Sequence, residues 1–315
     1  MKLLDIRLVK INSYFRSFQL TVISFYIDHI LLLVIYLILL IALISVSSTA
    51  VVIRYVALVP ALTLAFWRML SASLFLWCYS IKKPQRLISL NNRSRILFAG
   101  FFLGMHFALF FVGVRSTSVA SATLLANTGP IFTSLLSRLS GHKVSRSVVL
   151  GLFISVFGII VVQWSGFGAG GNNYWGNLFS LLSGFCIAMT YMFASKIRKD
   201  TENILYGRSV FFVAAVTILL VTILSGGSIF SFNKGDIVWF VFLGVVPSIL
   251  GHNMLNYCIK YLSPTAIASI PLGEPIIASA LCYALFLETV PISAFVGAPF
   301  VFCGIIMTVK GSMVD

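Results

Sequence analysis

Pro271-Leu272-Gly273-Glu274-Pro275 lies in the middle of an apolar run from about Pro264 to Phe286. A run of about 20 apolar residues is long enough to cross a bilayer as a helix. Glu274 is the only acidic residue inside any run of this kind, and a charged side chain at mid-bilayer costs about 2.5–3.5 kcal/mol. Pro271 and Pro275 each leave a backbone carbonyl without its helical donor, which is tolerated only beside protein or a wet cavity. The stretch therefore predicts a polar cavity near the membrane centre.

The composition of the chain places it in a membrane. Of its 315 residues, 59% are hydrophobic and only 10% are charged, with a mean hydropathy of +1.04. Soluble domains carry about 25% charged residues. The net charge of +14 comes from short loops between apolar runs, as it does in membrane proteins, so we expect no nucleic-acid partner. The five cysteines form no C-x-x-C pair, so we expect no disulfide framework and no metal site.

Ten apolar runs predict an all-α, polytopic membrane protein with ten transmembrane helices. The helices are expected at about 30–53, 60–81, 96–114, 117–138, 147–164, 174–197, 207–225, 236–258, 264–286 and 291–310. Residues 1–29 mix basic and apolar side chains, which favours an interfacial helix on the basic side of the membrane or a poorly ordered tail. The first run is too long for a secretory signal and no small-residue cleavage site follows it, so we expect no signal peptide.

The positions of the basic residues predict the orientation of the helices. With the N-terminus inside, only Arg54, Arg115 and Lys234 of the 22 lysines and arginines fall in outer segments, and Arg68 lies within a helix. All the others fall on the inner side. Because basic residues concentrate in cytoplasmic loops, the sequence predicts that both termini are cytoplasmic. A missed helix would reverse every later loop, so the same distribution supports the count of ten helices.

The glycine-rich segment 166–173 divides the chain into two groups of five helices. Because five is an odd number, the two groups cross the membrane in opposite orientations, and homologous groups would form an inverted repeat. A constant shift places Ser118, Pro130 and Ser134 on Ser263, Pro275 and Ser279, and one further residue places Gly151 and Gly158 on Gly297 and Gly304. We therefore expect a basic interfacial segment at 1–29, one repeat at 30–165 and a second repeat at 174–311.

The repeat pairs the fourth predicted helix with the ninth. Asn127-Thr128-Gly129-Pro130 in the fourth helix corresponds to Leu272-Gly273-Glu274-Pro275 in the ninth. We expect helix breaks at Pro130, Pro271 and Pro275. Repeat transporters bind their substrates where such broken helices meet at the repeat interface. The paired glycines permit close backbone approach, so we also expect the fifth and tenth helices to pack tightly.

Four segments carry a resemblance to a known family. They are Thr63–Arg68 (TLAFWR), Ser116–Pro130, Gly273–Pro275 (GEP), and Leu287-Glu288 followed by Gly297 and Gly304. Together they resemble the EamA-like, ten-helix branch of the drug/metabolite transporter (DMT) superfamily over about residues 30–311. The resemblance implies a carrier of the bacterial inner membrane, with two inverted five-helix repeats and a central cavity lined by helices 1, 3, 4, 6, 8 and 9. The chain departs from the family pattern at Gly273, where leucine is usual, at Gly141-His142, where Gly-Glu is frequent, and in residues 1–29.

Glu274 is the first candidate for a functional side chain. Buried carboxyls can bind and release protons reversibly, so Glu274 would exchange protons or pair with a substrate amine. Its alternative role is a structural hydrogen bond at the helix break. The other candidates for the substrate-binding cavity are His106, Asn127, Tyr191, Trp67, Asn253 and Asn256. Each of these could instead serve only in helix packing.

Polar residues of the second and eighth helices predict specific side-chain directions. Asn253 and Asn256 lie three residues apart and share a helix face, so we expect His252 to point elsewhere. Arg68 lies near the outer end of the second helix. Its side chain would either reach outward to the membrane surface or neutralise a carboxylate, and we favour a structural role.

These features predict a secondary active transporter that moves a small polar metabolite, an amino acid or a related compound, by alternating access. The alternative is an exchanger of nucleotides, nucleotide sugars or other cofactor-type metabolites. An intramembrane enzyme is a remote alternative, because the predicted helices hold no aspartate pair, no serine–histidine motif and no H-E-x-x-H. We expect no catalytic residue, cofactor or metal. The expected partners are a small-molecule substrate, the lipid bilayer and protons as coupling ion, with the protein a monomer or homodimer.

Overall fold

A computed structural model describes residues 30–49, 52, 55–83, 87–166, 173–287 and 289–312. Over these residues the chain is helical and contains no β-strand. Its apolar helices are α1 (Ile30–Ser47), α2 (Ala61–Ser80), α3 (Leu90–Ser116), α4 (Val119–Leu139), α5 (Arg146–Val162), α6 (Tyr174–Ile197), α7 (Asn203–Leu224), α8 (Lys234–Cys258), α9 (Pro264–Phe286) and α10 (Ile292–Ser312). Within the described part of the chain, nine of them are long and apolar enough to cross a membrane, and α5 is slightly shorter at 17 residues. The predicted all-α polytopic fold is confirmed, whereas the predicted segment 1–29 lies outside the described residues.

Two compact units divide the chain, and the boundary between them falls within α1. One unit ends at Leu40, and the other, Ile41–Asp315, holds the last turns of α1 and all of α2–α10. Within the second unit, α2 packs against α7 and α8, α3 packs against α6 and α7, and α4 packs against α6 and α9. These contacts bring the interrupted helices α4 and α9 together.

Two helix boundaries differ from the hydropathy-based prediction. The helix α3 begins at Leu90 and α7 at Asn203, several residues before their expected starts. The extra turns of α3 begin at Ser89, whose hydroxyl accepts a hydrogen bond from the backbone amide of Asn92. Serine caps and polar first turns favour the start of a helix. Because these residues are polar, they fall outside the segment that hydropathy identifies as apolar. Hydropathy therefore finds the apolar part of a helix and not its caps.

The helices α4 and α9 are both interrupted near their centres. Their segments are Val119–Ala126 and Gly129–Leu139 in α4, and Pro264–Ser269, a 3-10 turn at Ile270–Gly273, and Glu274–Phe286 in α9. Proline cannot donate a backbone hydrogen bond and so frees a carbonyl one turn earlier. Nearby hydroxyls bond to carbonyls beside the breaks: Thr128 Oγ1 donates to the Leu125 carbonyl at 2.6 Å, and Ser269 Oγ donates to the Ala266 carbonyl at 2.8 Å.

The helices α5 and α10 pack along a seam of glycines, as the paired glycines predict. A Cβ atom added to Gly151 would lie 2.7 Å from the carbonyl oxygen of Gly304, and one added to Gly297 would lie 2.6 Å from that of Gly158. Both distances are shorter than a real Cβ contact. Only glycine therefore permits this approach of the two backbones.

The helix α8 is not a regular α-helix. Its residues Gly244–Asn253 form a π-helix around Pro247. Pro247 has no backbone N–H, and the hydroxyl of the next residue, Ser248, donates to the carbonyl of Leu243 five residues back at 2.8 Å. A π-helical segment has wider turns than an α-helix. The side chains after Pro247 therefore point in directions that α-helical spacing does not predict.

Candidate functional site

A cavity of about 510 Å³ lies at the interruptions of α4 and α9. This volume is within the range of about 300–1,000 Å³ that is typical of small-molecule sites. Much of its wall is apolar. The larger polar side chains that line it are Arg68, His106, Asn127, Gln163, Tyr191, His252 and Glu274. The predicted break residues Pro130, Pro271 and Pro275 line it as well.

Glu274 is the first residue of the last segment of α9 and lines the cavity. Its side chain is only half-buried. Among the described residues no hydrogen bond or ion pair within 4 Å holds its carboxylate, and Arg68 attracts it electrostatically from a longer distance. The carboxylate is therefore available to a solute in the cavity.

Arg68 points into the protein and not toward the membrane surface. It is 2% exposed, its Nε donates to Ser248 Oγ at 3.0 Å, and its guanidinium carbon lies 4.4 Å from the centre of the Phe107 ring. Of the two directions that the sequence left open for this side chain, the outward one is contradicted, and the other, toward a carboxylate, agrees with its attraction to Glu274. The reason is that Ser248 of the π-helical segment and the aromatic face of Phe107 supply hydrogen-bonding and cation–π contacts inside the protein.

Two histidines lie beside this arginine. His106 Nδ1 is 2.8 Å from Ser183 Oγ and 3.0 Å from the Ser183 carbonyl oxygen, so α6 holds the ring in place. His252 meets the Phe107 ring edge-on, with the ring centres 5.3 Å apart. Both histidines line the cavity. The expectation that His252 points elsewhere was wrong, because the π-helical turns of α8 bring it to the cavity.

Three of the predicted site residues do not line this cavity. Trp67 donates its indole N–H to the Ile229 carbonyl at 2.8 Å and stacks on Phe240, with ring centres 6.0 Å apart. Asn253 packs against α7, and Asn256 is buried in α8. The other four, Glu274, Asn127, His106 and Tyr191, lie together around the cavity. The shared face of Asn253 and Asn256 is turned away because the π-helix rotates it relative to an ideal α-helix.

Gln163 is a cavity residue that the sequence reasoning missed. It follows the last residue of α5, and its Nε2 donates to the Ala120 carbonyl at 3.0 Å and to Thr123 Oγ1 at 2.6 Å. These bonds tie the end of α5 to the first segment of α4. A glutamine at the end of an apolar helix is a weak signal by itself, because interfacial polar residues are common there.

A family model described as the EamA-like transporter family matches residues 32–164 and 174–310. The chain belongs to this family. This protein is thus a multi-pass membrane protein of a transporter family. The family and the names of its relatives favour transport over catalysis.

Several proteins named as uncharacterized transporters are similar to this chain over most of their length. An uncharacterized transporter of Archaeoglobus fulgidus is 24% identical over 203 residues, which are 64% of this chain and 70% of that protein. The uncharacterized transporter YdfC of Bacillus subtilis is 27% identical over 204 residues, which are 63% of this chain and 65% of that protein. The uncharacterized inner membrane transporter YedA of Escherichia coli is 24% identical over 242 residues, which are 73% of this chain and 75% of that protein.

One protein of known crystal structure shares the fold. It superposes on this protein with a TM-score of 0.74 at 14% sequence identity. The superposition covers 88% of this chain and 96% of the other protein's chain. At this identity the similarity shows the fold alone.

Proposed function

We propose that this protein is a secondary active transporter of a small zwitterionic metabolite, an amino acid or a related compound, across the inner membrane. The observation that carries the proposal is the cavity to which Arg68 and Glu274 both contribute without closing an ion pair. A guanidinium binds a carboxylate in a bidentate manner, and a carboxylate attracts an ammonium group. Two opposite charges held apart in one cavity therefore complement the two ends of an amino acid.

The apolar part of the cavity suits the rest of such a substrate. Phe107, Phe110 and Ile187 line it beside the charged groups. Small-molecule sites combine a mostly apolar wall with a few polar groups that set orientation. We therefore expect preference for amino acids with an apolar side chain.

A nucleotide or nucleotide-sugar exchanger is supported less well. Phosphate groups are bound by several cationic or backbone N–H donors. Arg68 is the one arginine or lysine in the cavity lining over the described residues, and Glu274 repels anions. The lining therefore favours a zwitterion over a polyanion.

Alternating access is supported by a symmetric relation between α5 and α10. Under the predicted repeat, Gly151 corresponds to Gly297 and Gly158 to Gly304. If each glycine of the Gly151–Gly304 contact is replaced by its counterpart in the other repeat, the result is the contact between Gly297 and Gly158. Both contacts are present in the structure. Such self-complementary pairing is the signature of a two-fold axis. It supports an inverted pair of repeats at 30–165 and 174–311, which rock about the cavity.

Exposed residues of the cavity lining lie between α9 and α10. Thr289 and Pro291, just before α10, line the cavity and are exposed. The distribution of basic residues assigns this loop to the outer side and both termini to the cytoplasm. On this assignment the conformation is open to the outside, and Glu274 meets either a substrate amine or a proton from there.

Transport by purified protein in liposomes tests the proposal. We expect Glu274→Gln to lower the exchange rate of the substrate by about tenfold or more, which corresponds to about 1.4 kcal/mol. The control is Asp200→Asn, which removes an exposed carboxylate from the loop after α6 and should leave transport unchanged. Candidate amino acids are first ranked by the increase in melting temperature that each ligand produces. An unchanged rate and unchanged pH dependence in Glu274→Gln would overturn the proposed role of this carboxylate.

A further inference from the structure

Buried oxygen atoms without a hydrogen-bond partner are concentrated on three neighbouring helices. Of seven buried side-chain polar atoms that have no partner among the described residues, six belong to α6, α7 and the C-terminal half of α8: Arg208 Nε and five oxygen atoms. The oxygen atoms are Tyr191 Oη, Asn203 Oδ1, Tyr206 Oη, Asn253 Oδ1 and Asn256 Oδ1. Native proteins leave very few buried polar groups unpaired, because each one costs stability. A cluster of six in one region therefore requires an explanation.

These groups extend from the cavity toward one end of the helices. Tyr191 lines the cavity and interacts electrostatically with Glu274 on one side and with Tyr206 on the other. Tyr206 is fully buried and interacts in turn with Arg198, directly after α6. Arg198 Nε donates to the carbonyl of Asn256 at 3.0 Å. The groups thus extend from the cavity toward the end of the helices opposite to Thr289 and Pro291.

The helices α7 and α8 meet beside these groups in a tight contact. Asn203 Nδ2 donates to the carbonyl of Asn253 at 2.9 Å. The side chain of Asn253 lies against Gly207, where an added Cβ atom would be 3.0 Å from Asn253 Cγ and closer still to its Oδ1. A single methyl group at position 207 would therefore collide with Asn253. The contact depends on glycine at this position and on the two helices being close together.

We infer that Tyr191, Tyr206, Asn253 and Asn256 line the closed, cytoplasmic half of the translocation pathway. This inference rests on the proposed function. When the repeats rock to the opposite conformation, α7 and α8 separate, and water and substrate reach these side chains. Their oxygen atoms are unpaired here because they have partners only in the other state. Lys196, Lys199 and Lys260 lie at the same end of the helices and mark it as cytoplasmic.

Cysteine labelling from the two sides of the membrane tests the inference. Cys282 lines the outer cavity and serves as the outer reporter once the other four cysteines are replaced. Asn256→Cys in a background without native cysteines is the inner reporter, and Leu255→Cys, its fully buried apolar neighbour, is the matched control. A membrane-impermeant maleimide is added to inside-out and right-side-out vesicles. We expect Asn256→Cys to react from the cytoplasmic side about tenfold faster than Leu255→Cys. Equal rates for the two in a folded protein would overturn the inference.

Gly207→Ala provides a second test, in which the labelling rates of the two reporters should change in opposite directions. The added methyl group collides with Asn253 only when α7 and α8 are in contact, so it shifts the population toward the opposite conformation. We expect labelling of Asn256→Cys to rise by roughly fivefold and labelling of Cys282 to fall. Adding Asn253→Ala removes the collision with Asn253 and leaves only the end of the flexible Leu76 side chain, 3.0 Å from the added Cβ atom, so it should restore both rates. Unchanged rates in Gly207→Ala, or changes of the same sign at both reporters, would contradict the inference; if Gly207→Ala does not fold, the comparison of Asn256→Cys with Leu255→Cys decides.

The two proposals fail in different ways. Labelling requires no substrate, so it is independent of the assignment of Glu274. Labelling of Cys282 from the outside and of Asn256→Cys from the cytoplasmic side, together with normal transport in Glu274→Gln, would support the pathway and overturn the substrate site. Impaired transport in Glu274→Gln together with an unreactive Asn256→Cys would support the substrate site and overturn the proposed pathway.

Discussion

At the scale of single residues, the position of Arg68 depends on a serine on another helix. Ser248 Oγ accepts from Arg68 Nε at 3.0 Å while donating to the carbonyl of Leu243 at 2.8 Å. A hydroxyl can serve both functions at once. Because the guanidinium is buried, this hydrogen bond to a charged group is worth more than one between neutral groups. Ser248 therefore positions the cation that we propose to bind the substrate carboxylate.

Ser248→Ala should weaken substrate binding through Arg68. Loss of a hydrogen bond to a charged group costs about 1.5–3 kcal/mol, so we expect the KM to rise by about tenfold or more with a smaller change in kcat. Substrate titration of exchange in liposomes measures the two constants.

Ser73→Ala is the matched control for this variant. Ser73 is also a fully buried serine, and its hydroxyl donates to the Arg208 carbonyl at 2.8 Å, away from the cavity lining. Ser73→Ala should lose some stability, though less than Ser248→Ala because its hydrogen bond is to a neutral group, and it should keep its KM. An equal rise of KM in both variants would show that Ser248 acts through stability alone.

At the scale of secondary-structure elements, glycine seams set the distance between helices. The seam between α5 and α10 leaves no room for a methyl group at Gly158, where an added Cβ atom would lie 2.7 Å from the backbone nitrogen of Val301. In a membrane, helix packing relies on such close van der Waals contact, because lipid is as apolar as the helix surface. The seam therefore contributes directly to stability.

Gly158→Ala should destabilise the protein. Inserting a methyl group into a well-packed contact costs about 1–3 kcal/mol, so the melting temperature in detergent should fall by several degrees. Gly235→Ala is the control, because an added Cβ atom there meets no atom within 4 Å, and such surface changes stay within about 0.5 kcal/mol. Equal melting temperatures for the two variants would contradict the proposed role of the seam.

At the scale of the whole molecule, the proposed inverted repeat predicts on which side of the membrane each loop lies. The loop between α2 and α3 and the loop between α7 and α8 occupy corresponding positions in the two groups of five helices. If the groups are inverted, these two loops lie on opposite sides of the membrane. The positive-inside rule assigns the first loop, with Lys82, to the cytoplasm and the second, which ends at Lys234 as the first residue of α8, to the outside.

Lys82→Cys and Lys234→Cys should therefore react from opposite sides. In a background without native cysteines, we expect an impermeant maleimide to label Lys82→Cys in inside-out vesicles and Lys234→Cys in right-side-out vesicles. Lys143→Cys, in the loop between α4 and α5, should behave like Lys82→Cys. Labelling of Lys82→Cys and Lys234→Cys from the same side would rule out the inverted arrangement.

The approximate number, the order and the apolar extent of the helices could be predicted from the sequence alone. Transfer of an apolar run into lipid is an energy that each segment carries by itself, so it can be summed along the chain without knowing the neighbours. The same holds for Glu274 and the prolines, whose cost in lipid is independent of where other helices lie. This is why the sequence by itself indicated a cavity at α9 and α4, and why the glycines predicted the packing of α5 on α10.

Only the tertiary structure decided which side chains meet in that cavity. The directions of Arg68 and His252 depend on the π-helical segment of α8, which a hydroxyl and a proline stabilise through contacts that helical spacing does not encode. Gln163 enters the lining only because the end of α5 lies against α4, and Asn253 leaves it because Gly207 receives its side chain. Such contacts join residues that are far apart in the chain. Their energy depends on how the helices are assembled, so it cannot be evaluated from the sequence of any one segment.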